Sequence, residues 1–220
     1  MVRKFRELTI YIIAMMLYFV WPYLTQIIIN QVLVSDTNTI YLTFASNMII
    51  SLIIIGIYKD ELEGDLLKFN AHFFKNIFYV IKWSLISLAM FLVVNQIIYM
   101  LIPNINQENT NIILNMFKDN KILLFINTFI FYSVVEELVF KFPFKKILSN
   151  KWLFIIITGF LNAFYTVYFT STSKLSLVFI IPYTILLSCF SYVYYKKDNI
   201  IFPIMTRIIY NLITILVLLS

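Results

Sequence analysis

Apolar residues recur in runs of about twenty, separated by short polar or charged connections, at residues 8–30, 40–58, 77–102, 121–141, 152–170, 175–195 and 199–219. A helix needs roughly 20 mostly apolar residues to cross the hydrocarbon core of a bilayer. The pattern therefore predicts an all-α, polytopic transmembrane helical bundle of about seven spans, seven or eight if one re-entrant or extra piece is added. The first run follows "MVRKFRE", is too long and too poor in small residues for a cleaved signal peptide, and reads as a retained span with a bend at Pro22. Residues 59–76, "KDELEGDLLKFNAHFFKN", mix acids, bases and apolar residues in the manner of a short amphipathic helix lying on the membrane surface. Residues 103–120 are polar and form an outer connection.

The charges orient this bundle, because cytoplasmic connections carry the excess of Lys and Arg. With the N-terminus cytoplasmic, Arg3, Lys4, Arg6, Lys59, Lys68, Lys75, Lys141, Lys145, Lys146, Lys151, Lys196 and Lys197 fall inside. Only Lys118, Lys121 and Lys174 fall outside. The formal charge of +6 is thus spread over membrane connections and forms no basic stripe for nucleic acid. Composition agrees: 61% of residues are hydrophobic and 13% charged, with a mean hydropathy of +0.88, too apolar for a domain that must clothe itself in polar surface. With 3 glycines, 5 prolines, no repeat and no linker, residues 1–220 read as a single transmembrane domain. The many Tyr and Trp residues near span ends are interfacial anchors. The single cysteine, Cys189, excludes an intrachain disulfide and a cysteine-based zinc cluster and reads as a small apolar residue within a span. His72, the one histidine, falls in the surface segment beside Phe73 and Phe74 and reads as an interfacial ring. Asn95, Gln96, Asn127 and Asn162 lie within spans and are expected to bond across helices.

Three ionisable groups remain inside apolar runs: Glu136, Glu137 and Arg207; Lys82 sits nearer an interface, where its stem can snorkel. An acid or base in mid-span costs about 2.5–3.5 kcal/mol on insertion scales, so such groups face the bundle interior and have partners. Helical neighbours diverge by about 100°, which separates Glu136 from Glu137. Lys141, one turn beyond Glu137, is placed to pair with it. In the last run, "TRIIYNL" puts Arg207 and Asn211 on one face. The expectation is that Arg207 is the counter-charge of Glu136, with Asn211 as a hydrogen-bond partner. A buried ionic tie that specifies helix packing alone accounts for the same residues.

The pieces resemble the CPBP or ABI group of intramembrane metalloproteases, which includes CAAX prenyl proteases and bacteriocin self-immunity proteins. Those proteins carry EExxxR, FxxxH and HxxxN or HxxxD motifs on separate helices. "EELVFK" at 136–141 is similar to the first, with Lys141 in place of arginine; "TRIIYN" at 206–211 is similar to the third, with Arg207 in place of histidine and Asn211 matching. The likeness covers about residues 100–215, including "NQENTNIILNMF" before the first motif. For the second motif three registers compete: Phe160 with Phe164, Asn162 with Thr166, and Phe164 with Tyr168. The preceding "TG" favours Thr166 at the histidine position.

The resemblance implies a family site at Glu136, Glu137, Thr166, Arg207 and Asn211. In catalytic relatives it implies zinc held by the histidines, a glutamate that activates water and an assisting asparagine or aspartate. No register supplies an imidazole here, and a guanidinium cannot ligate zinc. The resemblance therefore implies a non-catalytic relative with no zinc, its carboxylates balanced by Arg207 and Lys141. Such a protein would bind a membrane or cell-envelope protein or peptide, as a self-immunity or accessory protein. The alternatives are a working CAAX-type intramembrane peptidase, and a transporter or lipid-binding protein; the last lacks the repeats and broken helix pairs that secondary transporters use. A multi-pass protein of the cell membrane is expected, and the abundance of Ile, Asn, Lys, Phe and Tyr fits a low-GC Gram-positive bacterium.

Overall fold

The structure, a computed structural model, describes residues 2–32, 36–102, 126, 131, 133–170 and 174–219. These form helices α1 (Val2–Val32), α2 (Asp36–Ile57), α3 (Lys59–Asn70), α4 (Phe73–Leu101), α5 (Glu136–Ile147), α6 (Lys151–Thr170), α7 (Ile180–Lys197) and α8 (Ile201–Leu219), with a 3-10 turn over Leu175–Phe179 leading into α7. No strand occurs among the described residues. Four segments are long and apolar enough to cross a membrane: Leu8–Gln31, Phe73–Leu101, Lys151–Phe169 and Leu175–Lys197. A fifth arises if Tyr41–Ile57 and Lys59–Asn70 are counted as one span, although they meet at 74°. Ile201–Val217 is apolar but shorter. The expected connection at 103–120, Asn127 and most of residues 121–132 lie outside the described residues.

Several boundaries differ from the sequence reading for local reasons. The surface segment expected over 59–76 divides: α3 stops at Asn70, and 73–76 already belong to α4. The Asn76 amide turns back to donate to the Phe69 carbonyl at 2.7 Å and closes this corner, where His72 is exposed. Helix α5 continues past Lys141 to Ile147, so Lys145 and Lys146 sit on its last turn, where cations complement the carbonyl end. Helix α1 is one helix through Pro22.

Caps fix the helices that carry the polar interior. Asn150 Oδ1 accepts from the backbone N–H groups of Trp152 and Leu153, at 2.9 and 3.1 Å, starting α6. Asp198, with φ of 49°, ends α7, and Asn199 Oδ1 accepts from Ile201 N at 2.9 Å to begin α8. Helix α3 is fastened to this junction: Asp65 Oδ2 accepts from Ile200 N at 2.8 Å and its carbonyl from the Asn199 amide at 2.7 Å. Pro203 sits in the first turn of α8, where a missing N–H costs nothing.

Helices α6 and α7 make the most extensive contact, and α7 and α8 both pack against α4. Small side chains let the α6 and α7 backbones approach. Gly159 faces Ser188, and the buried Thr158 hydroxyl donates to Ser191 Oγ at 2.8 Å. Ser84 of α4 donates to the Thr206 carbonyl at 2.8 Å, fixing α8 beside Arg207. Large apolar side chains such as Leu52, Phe78, Leu101 and Trp152 point outward, as a bilayer requires.

Candidate functional site

Glu136 and Glu137 open α5 directly after residues 133–135, which adopt the wider π-helical turn often found at functional positions. Both carboxylates are buried, at 1% and 0% exposure, as are Lys141 at 0% and Arg207 at 6%. Arg207 Nη2 donates to Glu136 Oε2 at 2.5 Å, and Nη1 donates to Glu137 Oε1 at 3.1 Å. Lys141 Nζ lies 2.6 Å from Glu137 Oε2, an ion pair whose angles fall outside hydrogen-bond geometry.

The expectation that the two acids would need separate cations is thereby corrected. Their directions do diverge, but the flat guanidinium presents two nitrogens on different edges, and one fork spans both carboxylates. Two negative and two positive side chains thus form a neutral cluster. Neutrality matters because an uncompensated charge in such an interior costs several kcal/mol.

Asn162, on α6, joins the cluster. Oriented to satisfy its neighbours, its Nδ2 donates to Glu136 Oε2 at 2.8 Å and its Oδ1 accepts from Arg207 Nη1 at 3.2 Å. Thr166, one turn on, places Oγ1 3.4 Å from the Asn162 amide and so stands behind the ion pair. Of the three registers open for the middle helix, only that of Asn162 and Thr166 faces inward; Phe160, Phe164 and Tyr168 are exposed at 46%, 42% and 53%. Tyr18 of α1 reaches Glu136 Oε1 with its hydroxyl at 3.5 Å. Asn211 is seen to bond Ser133: its amide donates to Ser133 Oγ at 3.0 Å, tying α8 to the π-helical turn. One turn of α8 separates Asn211 from Arg207, so the neighbour it meets lies one turn earlier than Glu136.

Residues 118–213 match the family model described as type II CAAX prenyl endopeptidase Rce1-like. Over this segment the chain is similar to that family. The match takes in Glu136, Glu137, Lys141, Asn162, Thr166, Arg207 and Asn211, so the whole buried cluster except Tyr18 lies inside the Rce1-like segment. No curated protein and no solved structure matches the chain. Together with its apolar helices, the match makes the protein a multi-pass helical membrane protein bearing an Rce1-like region.

The donors in this cluster do not fit the zinc ion that the resemblance implies for catalytic relatives. Among the described residues no three His, Cys, Asp or Glu side chains converge to hold a metal. The two available carboxylates already accept from cations, and a divalent ion beside Arg207 would add charge to a cluster that is balanced without it. What the arrangement does chemically is hold three helices: α5 supplies the acids, α8 the guanidinium and α6 the amide that bonds to both.

Proposed function

We propose that this protein is a non-catalytic relative of the CAAX peptidases, serving as a self-immunity or accessory protein that binds a membrane or cell-envelope partner. The observation that carries the reading is the bidentate placement of Arg207, whose two terminal nitrogens bond one oxygen each of Glu136 and Glu137. In a zinc peptidase a carboxylate must be free to take a proton from a metal-bound water. Here it instead neutralises a side chain that never loses its own proton. The residues of the former site then serve as a polar keystone, holding α5, α6 and α8 in the relative positions that present an outer surface to the partner.

Elemental analysis of detergent-purified protein tests this. The expected result is far less than one zinc per chain, unchanged by Glu136→Gln. About one zinc per chain, lost on that substitution, overturns the proposal.

An active peptidase is the second reading, favoured by the convergence of two acids and the Asn162 amide inside the matched segment. It requires that Glu136→Ala abolish cleavage of a membrane-borne peptide at undiminished protein abundance.

A further inference from the structure

On the outside of the bundle, away from the buried cluster, four lysines converge on the ends of three helices. Lys75 lies in the first turn of α4, Lys151 starts α6, and Lys196 and Lys197 end α7. Lys197 Nζ stands 4.2 Å from the ring centre of Tyr79 and 4.9 Å from that of Phe202. Lys151 and Lys196 both stand over Tyr192, at 5.0 and 5.9 Å, and Lys151 also lies 4.9 Å from the Trp152 ring. The rings are continuous beneath them. Phe202 meets Tyr79 at 5.8 Å, Tyr79 meets Trp83 at 6.2 Å, and Trp83 meets Tyr192 at 4.8 Å.

Aromatic faces attract cations, but they carry no net charge. The ion pairs among the described residues involve Lys59, Lys68, Lys141, Lys145 and Arg207, and none involves these four lysines. Lys197 lies within electrostatic reach of both Lys75 and Lys196. The ridge therefore holds mutually repelling cations that an external anion would relieve.

Two features say what kind of anion. The ridge lies at the ends of three membrane-spanning segments, at headgroup level, where Trp and Tyr settle. Further along the same helices the surface is open and largely apolar: Phe78 and Leu85 on α4 and Leu153 and Ile156 on α6 are all exposed, with the exposed Lys82 between the two on α4. A free phosphate would use the lysines and leave this wall bare, whereas a phospholipid covers both. A zwitterionic headgroup would bring its own cation against the lysines, and Asp198, which follows Lys197 in the chain, already pairs with Lys145 at 3.4 Å. We propose that the ridge formed by Lys75, Lys151, Lys196 and Lys197 over Tyr79, Trp83 and Tyr192 is a binding site for the phosphodiester headgroup of an anionic phospholipid, whose acyl chains lie along α4 and α6.

The test uses the full chain reconstituted in vesicles, with Trp21→Phe removing the tryptophan that bonds to Ser46 on α2 and leaving Trp83 and Trp152 as reporters. Quenching by acyl-brominated phosphatidylglycerol is compared with quenching by acyl-brominated phosphatidylcholine at equal mole fraction. Juxtamembrane lysines each strengthen attraction to anionic lipid severalfold at low salt. The expected result is a several-fold preference for phosphatidylglycerol that falls with ionic strength and drops to parity in K75Q/K151Q/K196Q/K197Q. It is expected to survive in K59Q/K68Q/K146Q, which removes charge elsewhere at the same end of the bundle. Equal quenching by the two lipids in the parent protein overturns the proposal, as does equal loss in both lysine variants. Abolition of the preference by millimolar inorganic phosphate, at matched ionic strength, would make the ridge an anion site with no selectivity for lipid. The salt dependence is read on the parent protein and does not rely on any lysine variant folding.

Discussion

Arg207 is the residue on which the polar interior turns, and the way its charge is shared makes the consequences of removing it specific. Arg207→Ala leaves two buried acids facing one lysine, an uncompensated charge that is expected to cost about 3–5 kcal/mol. Which second substitution restores stability depends on who pairs with whom. Adding Glu136→Gln leaves Glu137 with Lys141 at 2.6 Å, a neutral pair still in contact. Adding Glu137→Gln leaves Glu136 without Arg207 and Lys141 without its near acid. Thermal unfolding in detergent is therefore expected to show clear recovery in E136Q/R207A and little in E137Q/R207A. Equal melting temperatures for the single variant and both doubles would mean the pairs do not interact. Much of this was legible in the residues alone, since an acid or arginine inside an apolar run must find a partner. The sharing was not legible, because helical angles give the direction of Cβ and say nothing of what a planar fork at the end of another long side chain can span. Asn162 carried a weaker signal: an amide in mid-span announces a hydrogen bond but not its partner. The bond of Asn211 to Ser133 was not legible for a related reason, as nothing in the sequence sets which turn of α5 faces which turn of α8.

At the scale of the helices, spacing and apolar length located the spans closely, but where each stopped depended on tertiary bonds. Helix α3 ends at Asn70 because Asn76 closes the corner onto Phe69, and α8 starts where it does because Asn199 and Asp65 take its first N–H groups. The register of α6 is the clearest case of packing deciding what pattern left open. Its outward face is aromatic, Phe160, Phe164 and Tyr168, with adjacent rings stacked at 6.1 and 5.4 Å, while Gly159, Asn162 and Thr166 turn away from it. At Gly159 the α6 backbone comes close to α7. A Cβ there would lie 2.1 Å from Ser188 Oγ and 2.9 and 3.0 Å from the Ser188 backbone N and Cα. Gly159→Ala is therefore expected to push the two helices apart and cost about 1–3 kcal/mol. Shortening the partner as well, in G159A/S188A, is expected to recover only part, because the backbone contacts remain. Full recovery in the melting temperature would show that the hydroxyl alone limited the approach. The shift also reaches the ion cluster, since Asn162 lies on the same helix one turn along.

For the whole molecule, the contacts decide which helix ends share a membrane face, and so bear on the charge asymmetry read from sequence. Asp65 of α3 holds the α7–α8 junction, and Lys145 at the end of α5 lies 3.4 Å from Asp198 in that junction. Lys68, Lys145, Lys146, Lys196 and Lys197 are thereby gathered at one end of the bundle. Lys174, which follows α6 and precedes α7, lies at the other end, the length of a span away. The clustering arises from packing alone, and its agreement with the sorting of basic residues by the positive-inside rule comes from a separate physical cause, the preference of cytoplasmic connections for Lys and Arg. A labelling experiment separates the two contributions. In a Cys189→Ala background, cysteines replacing Lys68, Lys146 and Lys174 are all exposed side chains open to an impermeant maleimide. On intact cells only K174C is expected to label, with K68C and K146C reacting after the membrane is permeabilised. Labelling of K68C and K146C but not K174C would keep the packing and invert the orientation. Labelling of K174C together with K68C from the same side would refute the packing itself, and with it the common face on which the lysine ridge and the α3 fastening both depend.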